Sequence, residues 1–247
     1  MIKTEIIAHR GSKGTHPENT LIAFEEAIRV GSNGIELDVH LTKEGEVVVI
    51  HDETVNRTSN GEGLVRNFTL KELKRLDMGS WFDSKVKTCT IPTLQEVIEL
   101  LNRTQFKGVL NIELKTNKFE YPGIEKKVLE ILLEQPNVFS VVYSSFNYET
   151  LIRLKQLDNK AEIALLFEKM GENKTLLNQT IPIKMWHPSL EWFKSVDTMG
   201  RLKMPVRLWT INSEEDLIYC FNKKVSGIFT DFPENALAIR NKKQFIE

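Results

Sequence analysis

Short runs rich in Ile, Val and Leu recur along the chain between segments of helical period, and this rhythm is the mark of strands and helices alternating in a parallel sheet. Eight runs predict strands over Glu5–Ala8, Gly34–Val39, Val109–Leu114, Ser140–Ser144, Glu162–Phe167, Ile183–Trp186, Val206–Thr210 and Gly227–Thr230. Eight strands close an α/β barrel, so a (β/α)8 barrel is the predicted architecture. The intervening segments carry apolar stripes at helical spacing: Leu21, Phe24, Ala27 and Ile28; Leu94, Val97, Ile98 and Leu101; Ile124, Val128, Ile131 and Leu132; Leu151, Leu154 and Leu157. These stripes are expected to face the barrel. With 41% apolar content, residues 1–247 can bury a large core as a single domain.

A ninth apolar run, Val47–Ile50, follows the second strand so closely that residues 35–52, IELDVHLTKEGEVVVIHD, read as an antiparallel hairpin turning at Lys43–Glu46. Paired positions in that hairpin are predicted to sum to about 89, which sets Asp38 opposite His51. Glu36 and Asp38 are two apart, so a strand points both to one face. At about 4 Å two like charges repel by about 4 kcal/mol in an effective dielectric of about 20. Such a pair has to be separated, protonated or bridged by a cation.

From Glu53 to Pro92 about forty residues intervene before the next barrel helix, far beyond an ordinary connection. Thr69 and Glu72 predict a capping box for a short helix, LKELKRL, and Trp81 and Phe82 supply bulk to pack it down. An insertion leaving the carboxyl end of the second strand lies at the face where barrel active sites are built, so 53–92 is expected to act as a cap.

The predicted strand ends concentrate ionisable groups on the first three barrel strands: His9 and Arg10 on the first, Glu36 and Asp38 on the second with His51 returning, Glu113 and Lys115 on the third. Later strands end at Ser145-Phe146, Glu168, His187, Trp209-Thr210 and Asp231. Glu36, Asp38 and Glu113 form an all-oxygen set suited to one hard divalent cation, Ca2+ or Mg2+. The alternative is a structural ion network with Arg10 and Lys115, but three acids against two bases leave negative charge unbalanced. Arg10 and Lys115 then suit an anion, Arg with a bidentate grip on phosphate. His9 and His51, flanking one substrate, can serve as base and acid near neutral pH. Of the other histidines, His16 falls in a loop, His40 lies further out along the ribbon, and His187 is expected to be a wall residue.

A net charge of −1 gives no basic face for nucleic acid. No stretch approaches the 18 or so apolar residues of a membrane span, and MIKTEIIAHRG lacks the apolar core of a signal peptide, so a cytoplasmic protein is expected. Cys89 and Cys220 have no metal-site spacing and are expected to be reduced, structural thiols. The sequence does not fix an oligomeric state.

HRG at 9–11, PENT at 17–20, ELDV at 36–39, HD at 51–52, IPTL at 91–94, IELK at 112–115, WT at 209–210 and TDFP at 230–233 resemble the glycerophosphodiester phosphodiesterase family nearly end to end. The resemblance implies a TIM barrel with an insertion after the second strand, and metal-dependent hydrolysis of small-molecule glycerophosphodiesters to glycerol 3-phosphate and an alcohol. It implies His9 and His51 as the catalytic pair, Glu36, Asp38 and Glu113 as metal ligands, and Arg10 and Lys115 as phosphate-binding bases. It further implies that Glu18 orients that shell and that Trp209 forms an apolar wall beside the glycerol. The attacking group is left open between water and the glycerol 2-hydroxyl, the latter through a cyclic phosphate. Two other functions also stay open: a phospholipase-type phosphodiesterase on lysophospholipids or phosphoinositides, and a non-catalytic phosphate-ligand sensor.

Overall fold

Runs of Ile, Val and Leu alternating with capped amphipathic helices build eight parallel strands with helices between them, a nearly closed (β/α)8 barrel. The computed structural model describes residues 3–83, 85–86, 89–169, 181, 183, 185–197 and 204–244. The strands are β1 (Glu5–Ala8), β2 (Gly34–Leu41), β3 (Val47–Val49), β4 (Val109–Leu114), β5 (Ser140–Ser145), β6 (Ile163–Phe167), β7 (Met185–Pro188), β8 (Arg207–Leu208) and β9 (Gly227–Thr230). They lie in the order β7-β6-β5-β4-β2-β1-β9-β8, with β3 antiparallel on β2. Parallel bridges from Trp186 to Val206 and from Ser189 to Trp209 join β7 to β8 and complete the ring. Every residue of β2 is buried, as befits a strand covered on both faces.

Side-chain caps set the helix starts. Thr20 accepts from the Ala23 amide and opens α1 (Leu21–Arg29). In the insertion, α2 (Leu70–Leu73) has the predicted Thr69–Glu72 capping box but is shorter than LKELKRL. Thr93 and Glu96 form a second box ahead of α3 (Leu94–Arg103). Among the described residues the remaining α-helices are α4 (Ile124–Leu133), α5 (Tyr148–Leu157), α6 (Leu190–Asp197), α7 (Glu214–Asn222) and α8 (Pro233–Gln244). Their stripes pack on the sheet through residues such as Phe24, Ile98, Val128 and Leu154. Leu157 departs from its stripe and is 53% exposed, because it is the last residue of α5. Among the described residues no helix is long and apolar enough to cross a membrane. Cys89 and Cys220 are both free and buried.

Two register details differ from the sequence expectation. The hairpin pairs Val39 with Val49, His40 with Val48 and Leu41 with Val47, so partners sum to 88 and Asp38 faces Ile50. His51 therefore reaches the acids by leaving the ladder, and not by pairing with Asp38. The sixth run is predicted from Ile183, but the strand is shifted to Met185–Pro188, where Ala164 pairs with Met185 and Phe167 with Pro188. The Ile183 amide bonds to the Ile181 carbonyl, a local turn that keeps it out of the ladder, and Lys184 lies outside the described residues.

The insertion buries a cluster of its own against β3: Val48, Ile50, Val55, Val65, Leu73, Met78, Cys89 and Ile91. Trp81 and Phe82 meet edge to face at 5.7 Å and remain partly exposed.

Candidate active site

Strand alternation and sheet register assemble the acidic floor. Glu36 and Asp38 point the same way from β2, and Asp38 pairs in register with Glu113 of β4. One carboxylate oxygen from each lies within 4.8 Å of the other two, and the residues are only 4%, 0% and 8% exposed. Burial, then the neighbouring Asp38 and Glu113, push the Glu36 carboxyl well above the usual carboxylate range. Burial likewise raises Glu113, against the pull of Lys115. Burial also opposes ionisation of Asp38, but His51, Lys115 and Arg10 outweigh it and hold this carboxyl below the usual range. Asp38 Oδ1 is buried and has no hydrogen-bond donor. A compact all-oxygen set with an unsatisfied carboxylate oxygen fits a hard divalent cation.

The bases are placed by the tight turn after β1. Arg10 adopts φ 54° and Gly11 φ 80°, and a Cβ on Gly11 would stand 2.7 Å from Ala23 of α1. That turn directs the Arg10 amide to Glu36 Oε2 at 2.9 Å, while Nη1 donates to Glu18 Oε1 at 2.8 Å and Nε lies 3.4 Å from Asp38 Oδ2. Glu18 does not line the cavity; it sits behind Arg10, 2% exposed, with its pKa held near 2 because Arg57 and Arg10 outweigh burial. Lys115 continues β4 and donates to Glu113 Oε1 at 2.8 Å, with Asp38 Oδ1 at 3.6 Å. Burial alone would lower its pKa, but Glu113 and Asp38 raise it, so the ammonium persists.

Each imidazole near the floor is held at Nδ1 by a carboxylate. His9 Nδ1 lies 2.7 Å from Asp231 Oδ1, and Asp231 Oδ2 accepts from Asn212 at 2.9 Å. His51 Nδ1 lies 2.7 Å from Asp52 Oδ1, while Lys115 Nζ stands 3.2 Å from His51 Nε2. These carboxylates assign a proton to Nδ1 in both rings, which leaves His51 Nε2 to accept from Lys115. Burial lowers the His9 pKa to about 4 despite the Asp231 bond, so the ring is neutral near pH 7.

Several supporting residues carry no signal in the sequence pattern. Asn19, in PENT, donates to Asp38 Oδ2 at 2.9 Å. His40 is fully buried and reaches the His51 carbonyl through Nε2 at 3.1 Å, with Nδ1 on the Tyr121 hydroxyl at 3.0 Å. Asp52 and Asp231 belong to the HD and TDFP segments, yet spacing alone gave neither a partner. Arg57 bonds both Glu18 and Asp52. The Asn19–Asp38, His9–Asp231, His40–Tyr121 and Arg57–Glu18 contacts join separate segments, which short-range spacing cannot pair.

These groups open into a cavity of about 980 Å3 lined by His9, Arg10, Glu36, His51, Glu113 and Lys115 together with Phe146, Phe167 and Trp209. Trp209 is fixed by its indole N–H on the His187 carbonyl at 2.7 Å and meets Phe146 edge to face at 5.7 Å.

A model of the glycerophosphoryl diester phosphodiesterase family matches residues 9–235. The chain is 42% identical over 244 residues to a glycerophosphodiester phosphodiesterase of Bacillus altitudinis, a match covering 97% of this chain and 99% of that protein. It is 40% identical over 254 residues to one from Caldanaerobacter subterraneus, covering 98% and 99%. The Oleispira antarctica phosphodiesterase, solved in complex with the product sn-glycerol-3-phosphate, superposes with a TM-score of 0.86 at 30% identity over 97% of each chain.

Proposed function

The chain belongs to the glycerophosphoryl diester phosphodiesterase family, and from that premise we propose that it hydrolyses glycerophosphodiesters to glycerol 3-phosphate and an alcohol, in a metal-dependent reaction with His9 and His51 as its proton carriers. The observation that carries the proposal is a cluster of three buried carboxylates, Glu36 and Glu113 at the cavity and Asp38 beside them, with two bases and two imidazoles each anchored at Nδ1.

A phosphodiester resists hydrolysis because its anionic oxygens repel a nucleophile and its alkoxide leaves poorly. Arg10 and Lys115 answer the first difficulty by bringing two positive charges to the phosphate. Glu36, Asp38 and Glu113 would hold one divalent cation, Ca2+ or Mg2+, which when bound adds Lewis-acid neutralisation of the phosphoryl charge. The imidazoles answer the second: Nε2 of one takes the proton from the nucleophile and Nε2 of the other delivers a proton to the leaving oxygen. Asp231 and Asp52 stabilise each imidazolium as it forms. The nucleophile is water, or the glycerol 2-hydroxyl followed by water.

The Oleispira antarctica relative was solved with sn-glycerol-3-phosphate as product, which supports glycerol 3-phosphate as the product here. Trp209 and Phe146 offer an apolar wall for the glycerol carbons. In this account the whole chain acts as one domain, and residues 53–92 shape the mouth: Glu53 and Thr54 line the cavity, and Arg57 anchors the segment to Glu18 and Asp52. A lysophospholipid substrate would draw on the exposed Trp81 and Phe82, but neither lines the cavity, which favours a soluble diester. Incubation with glycerophosphocholine tests the proposal: release of glycerol 3-phosphate that stops on chelation is expected, and equal release after exhaustive chelation would remove the metal from the account.

A further inference from the structure

Arg57 belongs to the insertion and closes two carboxylate forks at once. Nη1 and Nη2 donate to Glu18 Oε2 and Oε1 at 2.9 and 2.8 Å, while Nε and Nη2 donate to Asp52 Oδ2 and Oδ1 at 2.8 and 3.0 Å. Each carboxylate also holds a second group. Asp52 accepts His51 Nδ1 at 2.7 Å, and Glu18 accepts Arg10 Nη1 at 2.8 Å. The side chain thus joins a proton carrier to a phosphate-binding base through one guanidinium.

An isolated surface ion pair contributes little, and the Arg57 side chain is 44% exposed. The geometry here differs from that case in two ways. Glu18 is almost fully buried, so its charge needs partners, and the four hydrogen bonds form two bidentate pairs. A lysine ammonium is a point charge and cannot close both forks. Without Arg57, the buried Glu18 carboxylate would have only Arg10 to neutralise it and would draw that guanidinium away from the phosphate. Asp52 would lose the clamp that aims it at His51.

We infer that Arg57 is a positioning residue for the hydrolysis, tying the insertion to His51 through Asp52 and to Arg10 through Glu18. The inference rests on the roles given above to His51 and Arg10. Arg57 bonds none of Glu36, Asp38 and Glu113, so its direct effect falls on the proton carrier and the phosphate-binding base.

The test compares wild type, Arg57→Ala and Arg57→Lys, each saturated with divalent cation, on glycerophosphocholine. Arg57→Ala is expected to lower kcat by about tenfold or more, as loss of an outer-shell hydrogen bond commonly does, with a smaller rise in KM. Arg57→Lys is expected to recover only part of the loss. The cation concentration for half-maximal activity is expected to stay at the wild-type value. A kcat within about twofold of wild type in Arg57→Ala overturns the inference, and so does a loss matched by weaker cation response, which would mark collapse of the whole site. If Arg57→Ala does not fold, Arg57→Lys carries the same comparison.

The His51 imidazole resonances read the tie without turnover. Arg57→Ala or Arg57→Lys is expected to shift the Nδ1 proton, and an unchanged His51 spectrum overturns the inference. A wild type that turns over no glycerophosphodiester yet shows an Arg57-dependent His51 spectrum would sink the proposed function and leave the tie standing.

Discussion

His9 donates through Nδ1 to Oδ1 of Asp231 at 2.7 Å, and this one bond decides which nitrogen of the ring faces the cavity chemistry. Asp231→Asn replaces an acceptor-only carboxylate with an amide that can donate in its place, freeing the ring to adopt the other tautomer. The variant is expected to fold normally and to lose about tenfold to a hundredfold in kcat, the usual scale for an outer-shell partner. Steady-state turnover of glycerophosphocholine checks this, and wild-type kcat in the variant would contradict it.

The turn that places Arg10 holds two successive residues at positive φ. Gly11→Ala puts a Cβ 2.7 Å from Ala23 at φ 80°, so both the turn and α1 have to give. A loss of about 2 kcal/mol or more in unfolding free energy is expected, with activity reduced further because Arg10 moves with the turn. Urea unfolding of the variant measures the first and turnover the second.

Acid should destabilise the protein over a defined window. Burial lowers the His9 and His40 pKa values from 6.5 to about 4, and burial with Arg207 holds His187 well below 6.5. Each folded value lies below the unfolded one, so the unfolded chain takes up protons first. Their contribution is full above pH 6.5 and drains as pH falls toward 4. Glu18, held near 2, extends the decline below pH 4.5. Glu36 and Glu113, raised by burial, take up protons first in the folded state and offset part of this loss, but the three imidazoles outnumber them, so thermal melts from pH 7.5 to 4.5 are expected to show a falling midpoint. His187→Leu should flatten that slope and raise the midpoint, because both His187 ring nitrogens are buried without hydrogen-bond partners.

Cation binding should stabilise the fold through the acidic floor. With Glu36, Asp38 and Glu113 crowded within 4.8 Å, a divalent ion present at 100 times its Kd is expected to add about 2.7 kcal/mol. The thermal midpoint should rise with added Ca2+ or Mg2+ and return on chelation, and Glu36→Gln should move that response to higher concentration. A midpoint indifferent to both ions would argue for a structural ion network instead.

The barrel was legible because apolar runs and capping residues are local signals: Thr69 with Glu72 and the β2 alternation of Glu36 with Asp38 each depend on only a few neighbouring residues. The hairpin register was off by one because a count from the turn does not reveal where a strand leaves its ladder, and His51 leaves it after Ile50. Arg57 and His40 escaped the sequence for a related reason. Each has a partner far along the chain, Glu18 for Arg57 and Tyr121 for His40, and nothing in the stretch NRTS or in the strand VHL distinguishes them from surface residues. Six motif residues, His9, Arg10, Glu36, Asp38, Glu113 and Lys115, are nevertheless gathered at one mouth by the strand order that makes β1, β2 and β4 neighbours, and His51 joins them where the chain leaves β3.

The most direct test measures glycerol 3-phosphate released from glycerophosphocholine and glycerophosphoethanolamine by wild type, His9→Ala and His51→Ala, each with divalent cation and after chelation. The account predicts turnover by the cation-loaded wild type, loss on chelation, and a fall of about a hundredfold or more in each variant, with a different limb of the pH profile flattened by each. Near-wild-type turnover in both histidine variants would contradict it.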